Sequence, residues 1–231
     1  MNLQQKQLDH MTIGEIAARI PGATAVLRRY DLDFCCAGKR SLDEALAEKD
    51  IDRSALMQAL EELAANDERD EHVPPSSIDD YKALVEFIVE RYHETHRRQF
   101  PELIRLAERV EKVHGTHPQC PTGLTQHLQA MFEELSTHME KEEIILFPML
   151  CQGQRNMADE PISAMESEHE EHGRALKFIT SITQNYTPPE GACNTWKALY
   201  QGLKALEDDL IAHIHLENNI LFARQDKATD E

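Results

Sequence analysis

Apolar residues recur along most of this chain at intervals of three and four positions, which is the period of an amphipathic α-helix. Alternation of apolar and polar residues, which is typical of a half-buried strand, is nearly absent. The turns between the longer periodic segments are short, so neighbouring helices are expected to run antiparallel. The sequence therefore predicts an all-α protein whose larger part is an antiparallel four-helix bundle, with helices near residues 78–113, 122–147, 160–184 and 191–223.

The N-terminal part of the chain predicts a small helical domain of its own. Two of its helix starts carry capping boxes, in which side chain and backbone satisfy each other's hydrogen-bonding groups: Thr12-x-x-Glu15 and Ser41-x-x-Glu44. A further helix is expected near 53–65, and a charged run that ends in two prolines and two serines then predicts a linker. The expected organisation is a small helical domain over 1–66, a linker over 67–77 and the bundle over 78–226.

Residue types that bind metals occur twice in the bundle with nearly the same spacing. Each copy has a His-Glu-x-His-x-Arg block, followed by an acidic-x3-His-x3-Glu block and then Ile-Leu-Phe. The copies are 76 positions apart at the first histidine (93 and 169) and 75 apart at the second (138 and 213), so one residue of loop length reconciles them. Chance similarity is a poor explanation for a match of this length.

The spacing within each copy suits a metal site. Residues at i and i+4 lie on one helix face about one turn apart, so a His and a Glu in this register can bind one ion together. Each pair follows a partner helix with its own repeated His, and two-metal centres in bundles use such inward-facing imidazoles and carboxylates. This donor set without thiolates suits iron or manganese, whereas zinc commonly recruits cysteine. We predict a non-haem di-iron site with six ligands: His93, His138, Glu142, His169, His213 and Glu217.

Polar residues near the predicted ligands admit two interpretations. Glu134 and Asp209 each lie four residues before a ligand histidine, where they can hold its other ring nitrogen or bind an incoming ion. A solvated helix face explains both residues equally well. His96 and His172 lie three residues after ligand histidines, and a surface position is the favoured interpretation for them. The Ile-Leu-Phe triplets predict hydrophobic core around the polar centre.

Composition and charge indicate which kinds of partner and which cellular compartment to expect. The formal net charge of −18 argues against nucleic acid, whose phosphates would be repelled. The N-terminus has no apolar stretch of signal-peptide length, and no apolar run approaches the roughly 18 residues of a membrane span. Five scattered cysteines do not suggest a disulfide framework, which agrees with a reducing compartment. A cytoplasmic protein that binds neither nucleic acid nor membrane is expected.

The adjacent thiols of Cys35 and Cys36 are the remaining candidates for chemistry. They differ from the C-x-x-C redox motif, so a passive role is a real alternative. Lys39 and Arg40 lie close in sequence and can lower a thiol pKa, which would raise its reactivity. We treat the two cysteines as candidate redox or metal-relay thiols.

These motifs resemble those of the di-iron proteins that repair iron-sulfur clusters (the RIC family, of the YtfE and ScdA type), which are bacterial cytoplasmic proteins with a hemerythrin-like bundle. The resemblance covers nearly the whole chain, including an ScdA_N-like N-terminal domain. It is most specific in the Tyr-Asp-Leu-Asp-Phe-Cys-Cys-Ala-Gly-Lys segment and in four segments around the predicted ligands: residues 30–39, 91–93, 133–148, 165–169 and 208–222.

The resemblance implies two non-haem irons per chain, with an oxo or hydroxo bridge and with Glu142 and Glu217 as bridging carboxylates. It also implies repair of clusters damaged by nitrosative or oxidative stress, with iron donation as the mechanism and damaged or apo iron-sulfur proteins as partners. The acidic residue that is duplicated before each ligand histidine separately suggests that Glu134 and Asp209 line an iron path. The chain departs from ordinary hemerythrins at Gly173, which stands four residues after His169 where a second histidine is usual, so a simple oxygen carrier is not expected.

Two other functions are consistent with a di-iron centre. One is reduction of nitric oxide or peroxide at the metals, with an electron donor and with the iron retained. The other is a sensor that reports oxygen or nitric oxide through the N-terminal domain. All three functions are compatible with a monomer or a homodimer.

Overall fold

A computed structural model of the chain describes residues 11–20, 22–49, 51–65 and 81–223. Within these residues the chain is helical, with one isolated backbone bridge between Thr12 and Ser41 and no strand, so the all-α prediction is confirmed. The described chain divides into two compact units: the first consists of the parts that precede Val85 and follow His213, and the second is Val85–His213. The predicted linker over 67–77 lies outside the described residues, and the predicted domain boundaries stay a prediction.

The N-terminal part of the first unit contains four short helices: α1 (Ile13–Arg19), α2 (Ala23–Arg29), α3 (Leu42–Ala47) and α4 (Arg53–Ala65). Both predicted capping boxes form. The Thr12 hydroxyl accepts from the Glu15 backbone N–H at 3.2 Å, and the Glu15 carboxylate accepts from the Thr12 N–H at 2.9 Å. Ser41 and Glu44 make the same pair of hydrogen bonds. The helices pack through a small core of fully buried side chains that includes Ile16, Leu27, Leu42, Leu56 and Leu60.

Four long helical runs carry the bundle, as the apolar periodicity predicts. They comprise α5 (Tyr81–Ile88), a π-helical turn π1 (Val89–His93) and α6 (Glu94–His114); α7 (Leu124–Lys141), π2 (Glu142–Leu146) and α8 (Phe147–Cys151); α9 (Asp159–Ile182); and α10 (Asn194–Leu216) followed by π3 (Glu217–Leu221). A short 3-10 turn, Arg155–Met157, precedes α9. The helix continues through Pro101 within α6. No helix in the described ranges combines the length and apolar character needed to cross a bilayer.

The three π-helical turns coincide with predicted ligands. π1 ends at His93, whereas π2 begins at Glu142 and π3 begins at Glu217. Single π turns inside α-helices are rare and occur frequently at functional sites. Each inserts extra backbone into one turn and so rotates the residues that follow it relative to a regular α-helix. Apolar periodicity in the sequence does not reveal this local change.

The prediction that the first Ile-Leu-Phe triplet is wholly core was wrong for Ile145. Its side chain is 51% exposed, whereas Leu146 and Phe147 are 1% and 2% exposed. Consecutive residues of a helix point in directions about 100° apart, so three in a row rarely share one buried face. In the second copy Leu221 and Phe222 are buried and Ile220 is partly exposed, which follows the same order.

Candidate metal centre

All six predicted ligands are fully buried, each with 0% relative exposure. Five of them come from four helical runs of the second unit. The sixth, Glu217, lies one turn beyond His213 on the same continuous helix. Burial of this many ionisable groups is unfavourable unless each is hydrogen-bonded, paired or bound to a metal.

The four imidazoles form two pairs. Nε2 of His93 lies 3.1 Å from Nε2 of His213, and Nε2 of His138 lies 3.0 Å from Nε2 of His169. Ring centroids within the two pairs are 4.8 and 4.7 Å apart. In both pairs the same type of nitrogen from two helices converges on one point, as two ligands of one ion do.

Glu142 spans the two pairs. Its Oε2 lies 3.5 Å from Nε2 of His93, while its Oε1 lies 3.4 Å from Nε2 of His138. Glu217 shares with Glu142 a place in both groups of potential ligands, and the ligand atoms of each group lie within 4.8 Å of one another. The groups are His93, Glu142, His213 and Glu217, and His138, Glu142, His169 and Glu217. Nitrogen and carboxylate oxygen donors of this kind fit iron.

Carboxylates hold the far ring nitrogens of two of these histidines. Nδ1 of His93 lies 2.7 Å from Oε1 of Glu143, which also accepts from Arg97 at 2.7 Å. Nδ1 of His138 lies 2.9 Å from Oε2 of Glu168. Since an ionised carboxylate can only accept, the proton belongs on Nδ1, and the lone pair of Nε2 then faces the centre.

The ionisation of these two carboxylates favours the same arrangement. The hydrogen bond from His93 lowers the pKa of Glu143, and Arg97 lowers it further against the opposing effect of burial. Burial alone would raise the pKa of Glu168, but hydrogen bonds from Lys141 and His138 outweigh it and lower that pKa. Neither carboxylate was predicted from the sequence. Glu143 directly follows the predicted ligand Glu142, and Glu168 directly precedes the predicted ligand His169. Each carboxylate pairs with a histidine of a different helix, and the periodicity within one helix does not predict such a contact.

Glu134 and Asp209 do not hold the ligand histidines. Glu134 is exposed on α7, and Nδ1 of His138 pairs with Glu168 instead. Asp209 accepts from Arg91 at 2.7 Å through one oxygen and from the Gln99 amide at 2.6 Å through the other. Their suggested part in an iron path stays a prediction.

The favoured surface position for His96 and His172 was wrong, because the two side chains are only 0% and 2% exposed. The ring of His96 lies 5.3 Å from that of His213, and the ring of His172 lies 5.1 Å from that of His138. Burial lowers the pKa of each to about 3, so both are neutral. A position three residues after a ligand falls on nearly the same helix face, and packing of the neighbouring helix covers it.

Aromatic and neutral surroundings complete the centre. Tyr92 stacks on the ring of His213 with centroids 5.4 Å apart, and Phe147 stacks on His93 at 5.7 Å. Burial lowers the pKa of His213 well below its ordinary value. The neutral form of imidazole is the form that binds metals, so this environment favours metal over proton at the ring nitrogen.

The candidate thiols lie in the first unit, in the loop between α2 and α3. Cys35 is 8% exposed, and its sulfur lies 3.5 Å from that of the partly exposed Cys36. The expectation that Lys39 and Arg40 lower a thiol pKa was wrong for Cys35. The hydrogen bond with Cys36 and then burial raise its pKa well above the ordinary value.

Comparison with known proteins gives matches over both parts of the chain. A family model described as the hemerythrin HHE cation binding domain matches residues 84–224, and ScdA_N, a domain of unknown function, matches residues 9–64. The chain is 46% identical over 220 residues to "Iron-sulfur cluster repair protein YtfE" of Yersinia pseudotuberculosis. The matched region covers 93% of this chain and 96% of that protein. It is 49% identical over 213 residues to the protein of the same name from Salmonella paratyphi B, with coverage of 92% and 94%.

Proposed function

Because this chain belongs to the hemerythrin-like family of iron-sulfur cluster repair proteins, we propose that it repairs clusters damaged by nitrosative or oxidative stress and does so by donating iron. Iron binding follows from the family. The binding of two ions, with Glu142 and Glu217 between them, is part of the proposal. So are a cytoplasmic location and partners that are damaged or apo iron-sulfur proteins.

The position of Glu142 carries the proposal. Each of its oxygens lies within 3.5 Å of the Nε2 atom of a different histidine pair. A single carboxylate between two imidazole pairs supports two ions rather than one, since each pair with its shared carboxylates offers four donors. When bound in such a site, iron supplies Lewis acidity and one-electron chemistry.

Donation of iron requires that the ligands can release the bound ion while the hydrophobic core of the bundle stays folded. Glu143 and Glu168, which hold two of the ligand rings, have side chains that are 29% and 28% exposed, although the rings themselves are buried. Solvent or a bound client can therefore reach the carboxylate that sets the position of a ligand imidazole. Displacement of either carboxylate would loosen one ligand of one ion, and we propose this as the first step of donation.

The test is transfer of labelled iron to a client. The full chain is loaded with ⁵⁷Fe and incubated with a [4Fe–4S] protein whose cluster has been damaged by nitric oxide, and recovery of the client's activity is followed with Mössbauer spectra of its cluster. We expect ⁵⁷Fe in the restored cluster and a loss of iron from the donor. His138→Ala and His213→Ala should abolish both, because each removes a ligand from a different pair.

The exposed residue Glu140 provides the matched control, and Glu140→Gln should transfer iron as the unchanged chain does. Recovery of the client without ⁵⁷Fe would contradict donation. Consumption of nitric oxide or peroxide with an added electron donor, while the label stays on the bundle, would instead establish the reductase function.

A further inference from the structure

A second cluster of ligand-type side chains lies in the first unit, in the loop between α2 and α3. The sulfur of Cys35 lies 3.3 Å from Oδ1 of Asp33 and 3.5 Å from the sulfur of Cys36. One ligand atom from each of the three residues lies within 4.8 Å of the other two. This cluster differs from the bundle centre in place and in chemistry, because it offers two thiols and no imidazole.

The distances in the cluster are close to those of ligands on one tetrahedral ion. Metal–sulfur bonds of about 2.3 Å and metal–oxygen bonds of about 2.0 Å place tetrahedral ligand atoms roughly 3.5–3.8 Å apart. The observed separations of 3.3 and 3.5 Å need to open by only a few tenths of an ångström. Small side-chain rotations provide a movement of this size.

The backbone of the loop is held in place by groups outside the cluster. The Asn218 amide donates to the Cys35 carbonyl at 2.9 Å, and the Asn219 amide donates to the Phe34 carbonyl at 3.1 Å. Within the loop, the Cys36 N–H donates to Oδ1 of Asp33 at 3.0 Å, which fixes the carboxylate beside the sulfurs. The cluster is therefore preorganised, and ordering of the loop would add little to the cost of binding an ion.

Two glycines provide the room for this anchor. A Cβ atom at Gly14 would lie 2.1 Å from Oδ1 of Asn219, and one at Gly38 would lie 2.3 Å from the same atom. Such distances are far shorter than a van der Waals contact, so the asparagine reaches the loop only because neither position has a side chain.

Access and charge also suit a cation. Asp33 is exposed, Cys36 is partly exposed and Cys35 is 8% exposed, so an ion from solvent would meet the carboxylate first and Cys35 last. Besides Cys36 and burial, the negative charge of Asp33 also raises the pKa of Cys35. A bound cation would replace the thiol proton and remove this repulsion between like charges.

We propose that Asp33, Cys35 and Cys36 form a second metal site, which binds a divalent cation of borderline softness such as Fe²⁺ or Zn²⁺ through two thiolates and one carboxylate, with water as the remaining ligand. Thiolate donors select such ions over Mg²⁺ and Ca²⁺. Each thiol that binds releases one proton to solvent, and no electron is transferred. This site goes beyond the repair function, and its occupancy does not depend on iron donation by the bundle.

Cobalt(II) is the probe, because its thiolate complexes absorb strongly in the near ultraviolet. The full chain, with iron in the bundle and its thiols reduced, is titrated anaerobically with Co²⁺, and the bundle iron is measured before and after. We expect one Co²⁺ per chain with a thiolate-to-metal charge-transfer band, which Zn²⁺ abolishes by competition. The iron content should not change during the titration.

Variants assign the ligands. Cys36→Ser should reduce the band intensity per bound ion to about half, and the double variant Cys35→Ser/Cys36→Ser should abolish it. Asp33→Asn should keep the band but weaken Co²⁺ binding at least tenfold. The matched control is Cys151→Ser, since Cys151 is an exposed thiol elsewhere in the chain. Circular dichroism establishes that each variant is folded.

Three results would overturn the site. They are the absence of a charge-transfer band in the reduced chain, a band that persists in the double variant, and Co²⁺ affinity that is unchanged in Asp33→Asn. Because the readout is a cobalt–sulfur band, it fails or succeeds independently of iron transfer to a client. A failure of the proposed repair function is therefore distinguishable from a failure of this site.

Discussion

The change of Glu168 to Gln tests whether the carboxylate behind His138 sets the affinity for iron. The substitution keeps the size of the side chain but removes the charge that lies 2.9 Å from Nδ1 of His138. Loss of such a partner from a ligand imidazole typically weakens metal binding about 10- to 100-fold, which corresponds to about 1.4–2.8 kcal/mol. Since Glu168 supports only one histidine pair, we expect one of the two proposed ions to be weakened and the other to keep its affinity.

The measurement is an anaerobic competition between the iron-loaded chain and a chromophoric ferrous chelator. The Glu168→Gln variant should lose iron in two phases, with one ion per chain removed at a chelator concentration about 10- to 100-fold lower than for the unchanged chain. Glu143→Gln should weaken the other ion, because Glu143 lies 2.7 Å from Nδ1 of His93.

Lys141→Gln is the matched control. Lys141 donates to Glu168 at 2.5 Å and its side chain is 43% exposed, so its removal tests the loss of the ion pair without loss of the carboxylate. Exposed ion pairs contribute about 0–1 kcal/mol, and we therefore expect less than a roughly fivefold effect. Iron release from Glu168→Gln at the same chelator concentration as from the unchanged chain would contradict this role of Glu168. So would a Lys141→Gln variant that weakens iron binding as much as Glu168→Gln does.

Three further predictions concern packing, capping and the thiol loop. Trp196→Ala removes a side chain that is 1% exposed and should lower the free energy of unfolding by about 3–5 kcal/mol in urea titrations; a loss below 1 kcal/mol would contradict its place in the core. Thr12→Ala removes a helix cap and should cost about 0.5–2 kcal/mol, measured by thermal denaturation against Thr12→Ser, which keeps the hydroxyl. Gly14→Ala should displace Asn219 and speed alkylation of Cys36, whereas an unchanged rate would show that the loop does not need this anchor.

The local elements of the fold could be predicted because their causes lie within a few residues of each other. The capping boxes at Thr12 and Ser41 need only a side chain and a backbone group three positions apart. The apolar stripes of the bundle helices repeat within two turns. The register of His138 with Glu142 likewise follows from one turn of helix. The duplication of that register, together with the repeated blocks at His93 and His169, indicated the same six side chains that the structure brings together.

Contacts between helices could not be predicted in this way. Glu168 reaches His138 from a different helix, and Glu134, which has the more suggestive spacing along the chain, is exposed. His96 and His172 lie in short polar motifs, yet they are buried against ligand rings. Which polar residue faces a neighbour depends on the rotation of each helix, and the π-helical turns at the ligands alter that rotation without a change in the apolar period.

Local sequence patterns predict the helical content, the positions of the long helices and the residue types of the candidate metal centre, because hydrogen bonding and periodicity along a helix act over short distances. Tertiary packing, which these patterns do not specify, places Glu142 between two imidazole pairs and brings Asn218 and Asn219 to a loop more than 180 positions earlier in the chain. The folded loop also raises the pKa of Cys35, first through the hydrogen bond with the neighbouring Cys36 and then through burial. Such effects depend on distances through space, which close packing sets once the helices have formed.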